Sequence, residues 1–104
     1  MNKLLLKDWY VICRREEIEE HKILLKYVFD QEIIIWKKKE RIMVWENLCI
    51  HRGSRLSLGY INNGILKCAY HGWEYNHDAQ CVKIPSQPDI KIPKKACVKS
   101  YRVI

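Results

Sequence analysis

Two short segments of the chain each combine a cysteine with a histidine, and this pairing constrains the fold more than any other feature. Cys49 and His51 are separated by one residue, Cys68 and His71 by two, and residues 52–67 lie between the two segments. Two thiolates and two imidazoles can complete the coordination of a [2Fe–2S] centre, with both sulfurs on one iron and both nitrogens on the other. We therefore predict that these four side chains converge on such a centre.

A structural zinc site also uses two cysteines and two histidines. Zinc sites of this composition usually form in a ribbon or finger, with two to four residues between paired ligands. The glycines that follow the two histidines, Gly53 and Gly72, are not part of that pattern. Zinc stays open as an alternative metal.

The residues around these ligands resemble the N-terminal domain of the Rieske non-haem iron oxygenases. The likeness is carried by Arg-Gly after the first histidine, Leu-Ser-Leu-Gly at 56–59, Gly-Trp-Glu-Tyr at 72–75 and the stretch 81–86. It runs from about Trp9 to Arg102, with isoleucine and alanine at two positions, 50 and 69, where the family often has proline. The resemblance implies a [2Fe–2S] cluster bound by the four ligands.

The same resemblance implies an all-β Rieske fold of stacked antiparallel sheets. We expect one Rieske domain over residues 1–104, with a cluster-binding subdomain of two hairpin loops at about 47–83. Five residues are expected beside the ligands, with Trp73 covering the cluster and Arg52 orienting a partner or pairing with a core carboxylate. These residues are Arg52, Gly53, Tyr70, Gly72 and Trp73.

Two features of the loops bear on the reduction potential. High-potential members of the superfamily carry a serine two residues after the second histidine and a disulfide between the two loops. This chain has Trp73 at that position, and Ser54 in place of the extra cysteine of the first loop. We expect a midpoint in the lower part of the range of roughly −150 to +300 mV that Rieske centres span.

The rest of the sequence predicts short strands joined by turns, in agreement with an all-β fold. A charged connection at 14–22 has room for one helical turn, Asn63-Gly64 is typical of a tight hairpin, and three prolines favour an extended surface segment after residue 84. The predicted strands are 9–12, 23–29, 33–36, 42–45, 60–61, 65–67, 73–75, 80–83 and 96–103.

Charge and apolar patterning limit the other possible roles. The formal net charge of +7 suits a partner with an acidic surface. The basic run 37–41 indicates a solvated hairpin turn. A nucleic-acid site would need aromatic residues interleaved with the basic ones, and the sequence has no such stripe. The apolar run Leu4–Leu6 is too short for a signal peptide or a membrane span. We expect a cytoplasmic protein with no nucleic-acid or membrane partner, in which Cys13, Cys81 and Cys97 are buried or partly buried thiols.

The resemblance implies a one-electron carrier between a flavin-dependent reductase and an oxygenase catalytic subunit or domain. Oxygenases of the family also bind a mononuclear iron through two histidines and a carboxylate, and with four histidines, two of them assigned to the cluster, we expect no such catalytic site here. The alternatives are the Rieske half of a split or truncated oxygenase and a non-redox structural module. We also expect an open sheet edge at 96–104, where a catalytic subunit or a second copy would add a strand.

Overall fold

A computed structural model gives the fold and describes residues 2–5, 9–28, 30–50, 54–69, 72–87 and 89–103. Within these ranges the chain forms strands and two short 3-10 helices, at Arg15–Glu17 and Leu56–Leu58, so the expected all-β class is confirmed. The strands are β1 (Asn2–Leu5), β2 (Trp9–Cys13), β3 (Leu24–Val28), β4 (Gln31–Lys38), β5 (Arg41–Glu46), β6 (Tyr60–Asn62), β7 (Ile65–Lys67), β8 (Glu74–Tyr75), β9 (Cys81–Lys83) and β10 (Ser100–Val103).

The strands pair into two antiparallel sheets. The larger has the order β2-β1-β10-β5-β4-β3, and the smaller has the order β6-β7-β8-β9. Consecutive pairing in the smaller sheet follows from short turns, since Asn63 and Gly64 both have positive φ (52° and 74°), as a tight hairpin requires. The first ligand segment lies on the connection from the larger sheet to the smaller one, and the second connects β7 to β8.

Strand β4 explains how the two sheets share a core. Its run Ile33–Trp36 is apolar at every position because both faces of the strand are buried. Ile34 and Trp36 face the smaller sheet, where they pack with Trp45 of β5. Ile33 and Ile35 face the opposite way and join a second cluster with Cys13 and Val44. Strand β4 therefore packs on both faces, and the larger sheet to which it belongs leads directly into the first ligand segment.

The C-terminal strand corrects one prediction. Strand β10 begins at Ser100 rather than at residue 96, and it lies inside the larger sheet between β1 and β5. Leu4 pairs with Val103 on one side, and Ser100 pairs with Trp45 on the other. The expected open edge at 96–104 is therefore wrong, because β1, which the sequence patterns did not predict as a strand, covers it. In the described part of the chain the larger sheet ends at β2 and β3.

The three cysteines outside the ligand segments differ in burial. Cys13 and Cys81 are buried as expected, and burial raises the pKa of both thiols above the ordinary value. Cys97 is exposed, which corrects the expectation for that residue. None of the five cysteines, all of which the structure describes, forms a disulfide. Among the described residues, no helix is long and apolar enough to span a membrane.

Gly59 lies directly before β6, and its Cα approaches the main chain at the end of β7 closely. A Cβ atom at this position would overlap the main-chain oxygen of Lys67 and lie 3.3 Å from Cys68 Cα. We expect Gly59→Ala to cost about 2 kcal/mol of stability, as overpacking against main chain usually does. That cost corresponds to a fall in the thermal unfolding midpoint on the order of 10 °C, measured by circular dichroism.

Gly64→Asn is the matched control for this substitution. Its added Cβ meets the flexible end of Lys38, and asparagine tolerates a positive φ, so we expect a cost below about 1 kcal/mol. Equal losses in the two variants would show that the close approach at Gly59 does not constrain the fold.

Candidate iron–sulfur centre

The two cysteines predicted as ligands each lie shortly after the end of a strand. β5 ends at Glu46, three residues before Cys49, and β7 ends at Lys67, directly before Cys68. Both cysteines are fully buried, with 0% and 1% of their surface exposed, and both belong to the core cluster between the sheets. The fold therefore brings to one apolar region two thiols that are distant in sequence.

Each cysteine begins a loop that is closed by the same main-chain hydrogen bond. The N–H of Cys49 donates to the carbonyl oxygen of Ser54 at 3.0 Å, and the N–H of Cys68 donates to the carbonyl oxygen of Trp73 at 2.8 Å. In both cases the acceptor lies five residues after the cysteine. We name residues 49–54 the first ligand loop and residues 68–73 the second ligand loop. Each contains one of the two predicted histidines.

The histidines themselves lie outside the described residues. His51 and His71 are in this group, as are Arg52, Gly53 and Tyr70 of the residues predicted beside them. In the described part of the chain, no cluster of three or more histidine, cysteine or acidic side chains suits a metal ion. The assignment of the two histidines as the remaining ligands stays a prediction.

Gly72 and Trp73 are the predicted neighbours that the structure describes. Gly72 has a φ of +69°, which favours glycine, and a side chain there would approach Lys67 Cε at 3.2 Å. Trp73 is partly buried and packs against the core cluster that includes both ligand cysteines. An indole in this place is suited to keeping water from the loops, and it offers no hydroxyl group to a sulfur atom. That Trp73 covers the cluster stays a prediction.

Tyr75 makes the contact with a ligand cysteine that the sequence reasoning did not identify. Its hydroxyl oxygen accepts a hydrogen bond from Ile50 N–H at 3.2 Å and lies 2.9 Å from Cys49 Sγ. Burial, and next the bond to Cys49, raises the pKa of Tyr75 well above its ordinary value, so the phenol keeps its proton. A metal-bound cysteine is a thiolate. The hydroxyl is then the donor to its sulfur.

Two tryptophans fix the position of Tyr75. Its ring meets Trp45 edge-on with centroids 6.3 Å apart, and Trp45 meets Trp36 in the same manner at 5.1 Å. Tyr75 is itself fully buried. A fully buried tyrosine usually directs its hydroxyl to a polar partner, and an inward position on the strand after the second ligand loop was the signal in the sequence that could have revealed it.

The described part of the site suits an iron–sulfur centre. It supplies two soft sulfur ligands in an apolar environment and a protonated donor to one of them, and both features are typical of such centres. Hydrogen bonds to ligand sulfur are among the means by which proteins set the potential of an iron–sulfur cluster.

Comparison with known proteins agrees with this geometry. Residues 8–102 match the family model described as the Rieske [2Fe-2S] domain. The chain is 39% identical over 99 residues to protein TIC 55, chloroplastic, of Arabidopsis thaliana, covering 93% of this chain and 18% of that protein. It is 32% identical over 97 residues to the toluene-4-sulfonate monooxygenase system iron-sulfur subunit TsaM1 of Comamonas testosteroni, covering 92% and 27%.

A solved structure shows the same similarity in three dimensions. Dicamba monooxygenase superposes with a TM-score of 0.82 and 31% identity, over 92% of this chain and 30% of that one. The chain spans about a fifth of the length of TIC 55 and about a quarter of the length of TsaM1. The similarity therefore concerns one domain of larger proteins.

The hydrogen bond from Tyr75 predicts a measurable effect on the potential. Reduction adds one negative charge to the cluster, so a donor to a ligand sulfur stabilises the reduced state more than the oxidised one. We expect Tyr75→Phe to retain the cluster and to lower the midpoint by on the order of 60 mV, which corresponds to roughly 1.4 kcal/mol for one electron. Potentiometric titration monitored by visible absorbance measures this shift.

Tyr60→Phe provides the control because the side chain of Tyr60 is 51% exposed and lies on the opposite face of the smaller sheet. The midpoint potential of this variant should stay within about 10 mV of that of the unmodified protein. This is a small difference, since 59 mV corresponds to a tenfold change in the equilibrium constant of a one-electron reduction. A Tyr75→Phe midpoint equally unchanged would contradict the donor role.

Proposed function

Because this chain belongs to the Rieske [2Fe-2S] domain family, we propose that it transfers single electrons within a non-haem iron oxygenase system. The proposal assigns the cluster ligands to Cys49, His51, Cys68 and His71. The observation that carries it is the pair of fully buried cysteines at the start of two loops with identical closing hydrogen bonds. Such symmetry fits a ligand set in which each loop supplies one sulfur and one nitrogen.

When bound, the cluster supplies a one-electron couple whose potential is raised by imidazole ligands, which carry no negative charge. The residues of the chain set the polarity and the hydrogen bonding around the cluster site. Burial of Cys49 and Cys68 keeps their sulfur atoms in a low-dielectric region, and Tyr75 donates a hydrogen bond to one of them. Trp73 packs against the core cluster that contains both cysteines, and it supplies no hydroxyl donor. The lack of a hydroxyl donor at Trp73 supports a midpoint in the lower part of the Rieske range, whereas the hydrogen bond from Tyr75 raises the midpoint within that range.

The iron-sulfur subunit of a monooxygenase system, TsaM1, is among the relatives, and dicamba monooxygenase is a structural neighbour. These similarities support the assignment to an oxygenase system. We propose that the domain accepts an electron from a flavin-dependent reductase and passes it to an oxygenase catalytic subunit or domain. A cytoplasmic location and the boundaries of the cluster-binding subdomain, about 47–83, stay predictions.

A row of side chains beside the second ligand loop supports the exchange with a partner. Tyr60, Lys67, Glu74 and Lys83 are cross-strand neighbours on the outer face of the smaller sheet. The ammonium groups of Lys67 and Lys83 each lie 4.0 Å from the same Glu74 carboxylate oxygen, so two cations share one anion. We propose that an acidic partner surface meets this row, since opposite charges steer protein encounter.

Ligand substitutions test the assignment of the cluster. We expect the purified protein to contain two iron and two sulfide per chain, to bleach reversibly with dithionite, and to give a rhombic electron paramagnetic resonance spectrum when reduced. Alanine in place of Cys49, Cys68, His51 or His71 should reduce bound iron at least tenfold. Even the mutation of a residue that only hydrogen-bonds to a metal ligand typically lowers metal affinity 10–100-fold. The midpoint should lie below about +200 mV, within the Rieske range.

Cys81→Ala and His77→Ala are the matched controls, because Cys81 is as buried as the ligand cysteines and His77 lies outside both loops. They should retain the cluster. A colourless protein with one zinc per chain would contradict the proposal and favour the zinc alternative, and iron without reversible reduction would favour the non-redox module.

Charge reversal tests the proposed partner surface. We expect Lys83→Glu to lower the second-order rate constant for reduction by an acidic reduced ferredoxin by about tenfold at low salt, with the difference shrinking at high salt. Lys39→Glu makes the same charge change in the turn between β4 and β5, at the end of β5 remote from Cys49. Equal rate losses in the two variants in stopped-flow measurements would count against this surface.

A further inference from the structure

The two ligand loops are attached to the fold in different ways. The second ligand loop joins β7 and β8, which pair with each other through Leu66 with Tyr75 and Lys67 with Glu74. Its ends are therefore held by the main-chain ladder of one sheet. The first ligand loop leaves the larger sheet after Glu46 and leads to the 3-10 helix before β6 of the smaller sheet. Its flanking segments belong to different sheets, so the ladder of a single sheet does not join its two ends.

Asn47 is placed to do this. It lies two residues before Cys49, and it is the buried polar residue of the described core, with 4% of its surface exposed. Its main-chain N–H donates to the carbonyl oxygen of Glu32 at 3.1 Å, which attaches the loop entry to β4. Its side-chain nitrogen donates to Glu32 Oε1 at 3.0 Å and to Ser57 Oγ at 3.0 Å.

The side-chain oxygen of Asn47 completes the connection. It accepts a hydrogen bond from the N–H of Ser57 at 2.7 Å, so Asn47 holds a residue on the far side of the first ligand loop. The loop exit is tied to the same carboxylate, since Arg55 Nε donates to Glu32 Oε1 at 2.8 Å. One acidic side chain of the larger sheet thus receives donors from both flanks of the loop. An amide suits this position because it presents a donor and an acceptor together.

We infer that Asn47, with Glu32 as its anchor on β4, is a positioning residue that holds the first ligand loop so that Cys49 Sγ stays within hydrogen-bond reach of the Tyr75 hydroxyl. The inference rests on the proposed function, because the consequence of this alignment is the reduction potential of the cluster. Tyr75 is fixed by the aromatic core, so the distance between its hydroxyl and Cys49 depends on where the loop is held. Asn47 is the side chain that joins the entry of the loop to its exit.

A double-mutant cycle on the midpoint potential separates this role from a purely structural one. Asn47→Leu removes the side-chain hydrogen bonds at similar volume and unchanged charge. We expect it to lower the reduction equilibrium constant by at least threefold, about 30 mV for a one-electron couple. Tyr75→Phe should then have a smaller effect in the Asn47→Leu background than in the unmodified protein, because the bond it removes is already weakened. Additive effects would overturn the inference.

A second pair of variants keeps the test decisive if Asn47→Leu does not fold. Asn47→Asp keeps an acceptor for Ser57 N–H, but it places a second carboxylate against that of Glu32, and the two repel each other. Adding Glu32→Gln removes this repulsion, because the new amide donates to the aspartate and the net charge returns to that of the unmodified protein. We expect the double variant to recover the unmodified midpoint and paramagnetic spectrum to within the error of the titration. Failure of the double variant to recover either property, with the cluster present, would overturn the inference.

Asp78→Asn is the control, since it breaks an Arg41–Asp78 ion pair of 2.9 Å at the start of β5, the end remote from Cys49. Its midpoint and its response to Tyr75→Phe should equal those of the unmodified protein. Absence of a reducible cluster from the unmodified protein would instead refute the proposed function, so the two failures are distinguishable.

Discussion

The structure depends on bringing Cys49 and Cys68, which follow strands of two different sheets, into one buried cluster. Cys49 follows a strand of the larger sheet and Cys68 follows a strand of the smaller sheet, so their proximity requires the sheets to pack in one fixed arrangement. The interlocked rings of Trp36, Trp45 and Tyr75 provide this packing. Aromatic side chains bury much surface and have few rotamers, and here the last of the three also places a hydroxyl group at Cys49.

The remaining cysteines show that burial alone does not distinguish a ligand. Cys81 lies in the same core cluster as Cys49 and Cys68 and is as little exposed. What sets Cys49 and Cys68 apart is their place at the start of a closed loop, where a histidine follows within three residues.

Local patterns were sufficient to predict much of this fold. The Asn63-Gly64 turn specified the β6–β7 hairpin, and the β-branched run at 33–36 specified β4, because these signals act over a few residues. The prediction that the C-terminal strand forms an open sheet edge was wrong. The neighbours of β10 are set by long-range pairing, and one of them, β1, is a short strand whose sequence carries no alternating pattern. Tyr75 was missed for a related reason. Its contact with Cys49 joins residues 26 positions apart that only the packing of the two sheets brings together.

The network around Asn47 illustrates why a buried polar residue is retained in so small a core. Burying an amide without partners costs roughly 1–3 kcal/mol in proteins, whereas the side-chain nitrogen and oxygen of Asn47 both have partners. A leucine there would avoid that risk but would leave Glu32 and the Ser57 N–H with fewer partners. We also expect it to loosen the connection between the entry and the exit of the first ligand loop, which the bond from Ser57 N–H to the Asn47 side chain provides. We therefore expect the polar side chain at this position to contribute specificity of loop position rather than net stability, and the proposed hydrogen bond from Tyr75 to Cys49 depends on that position.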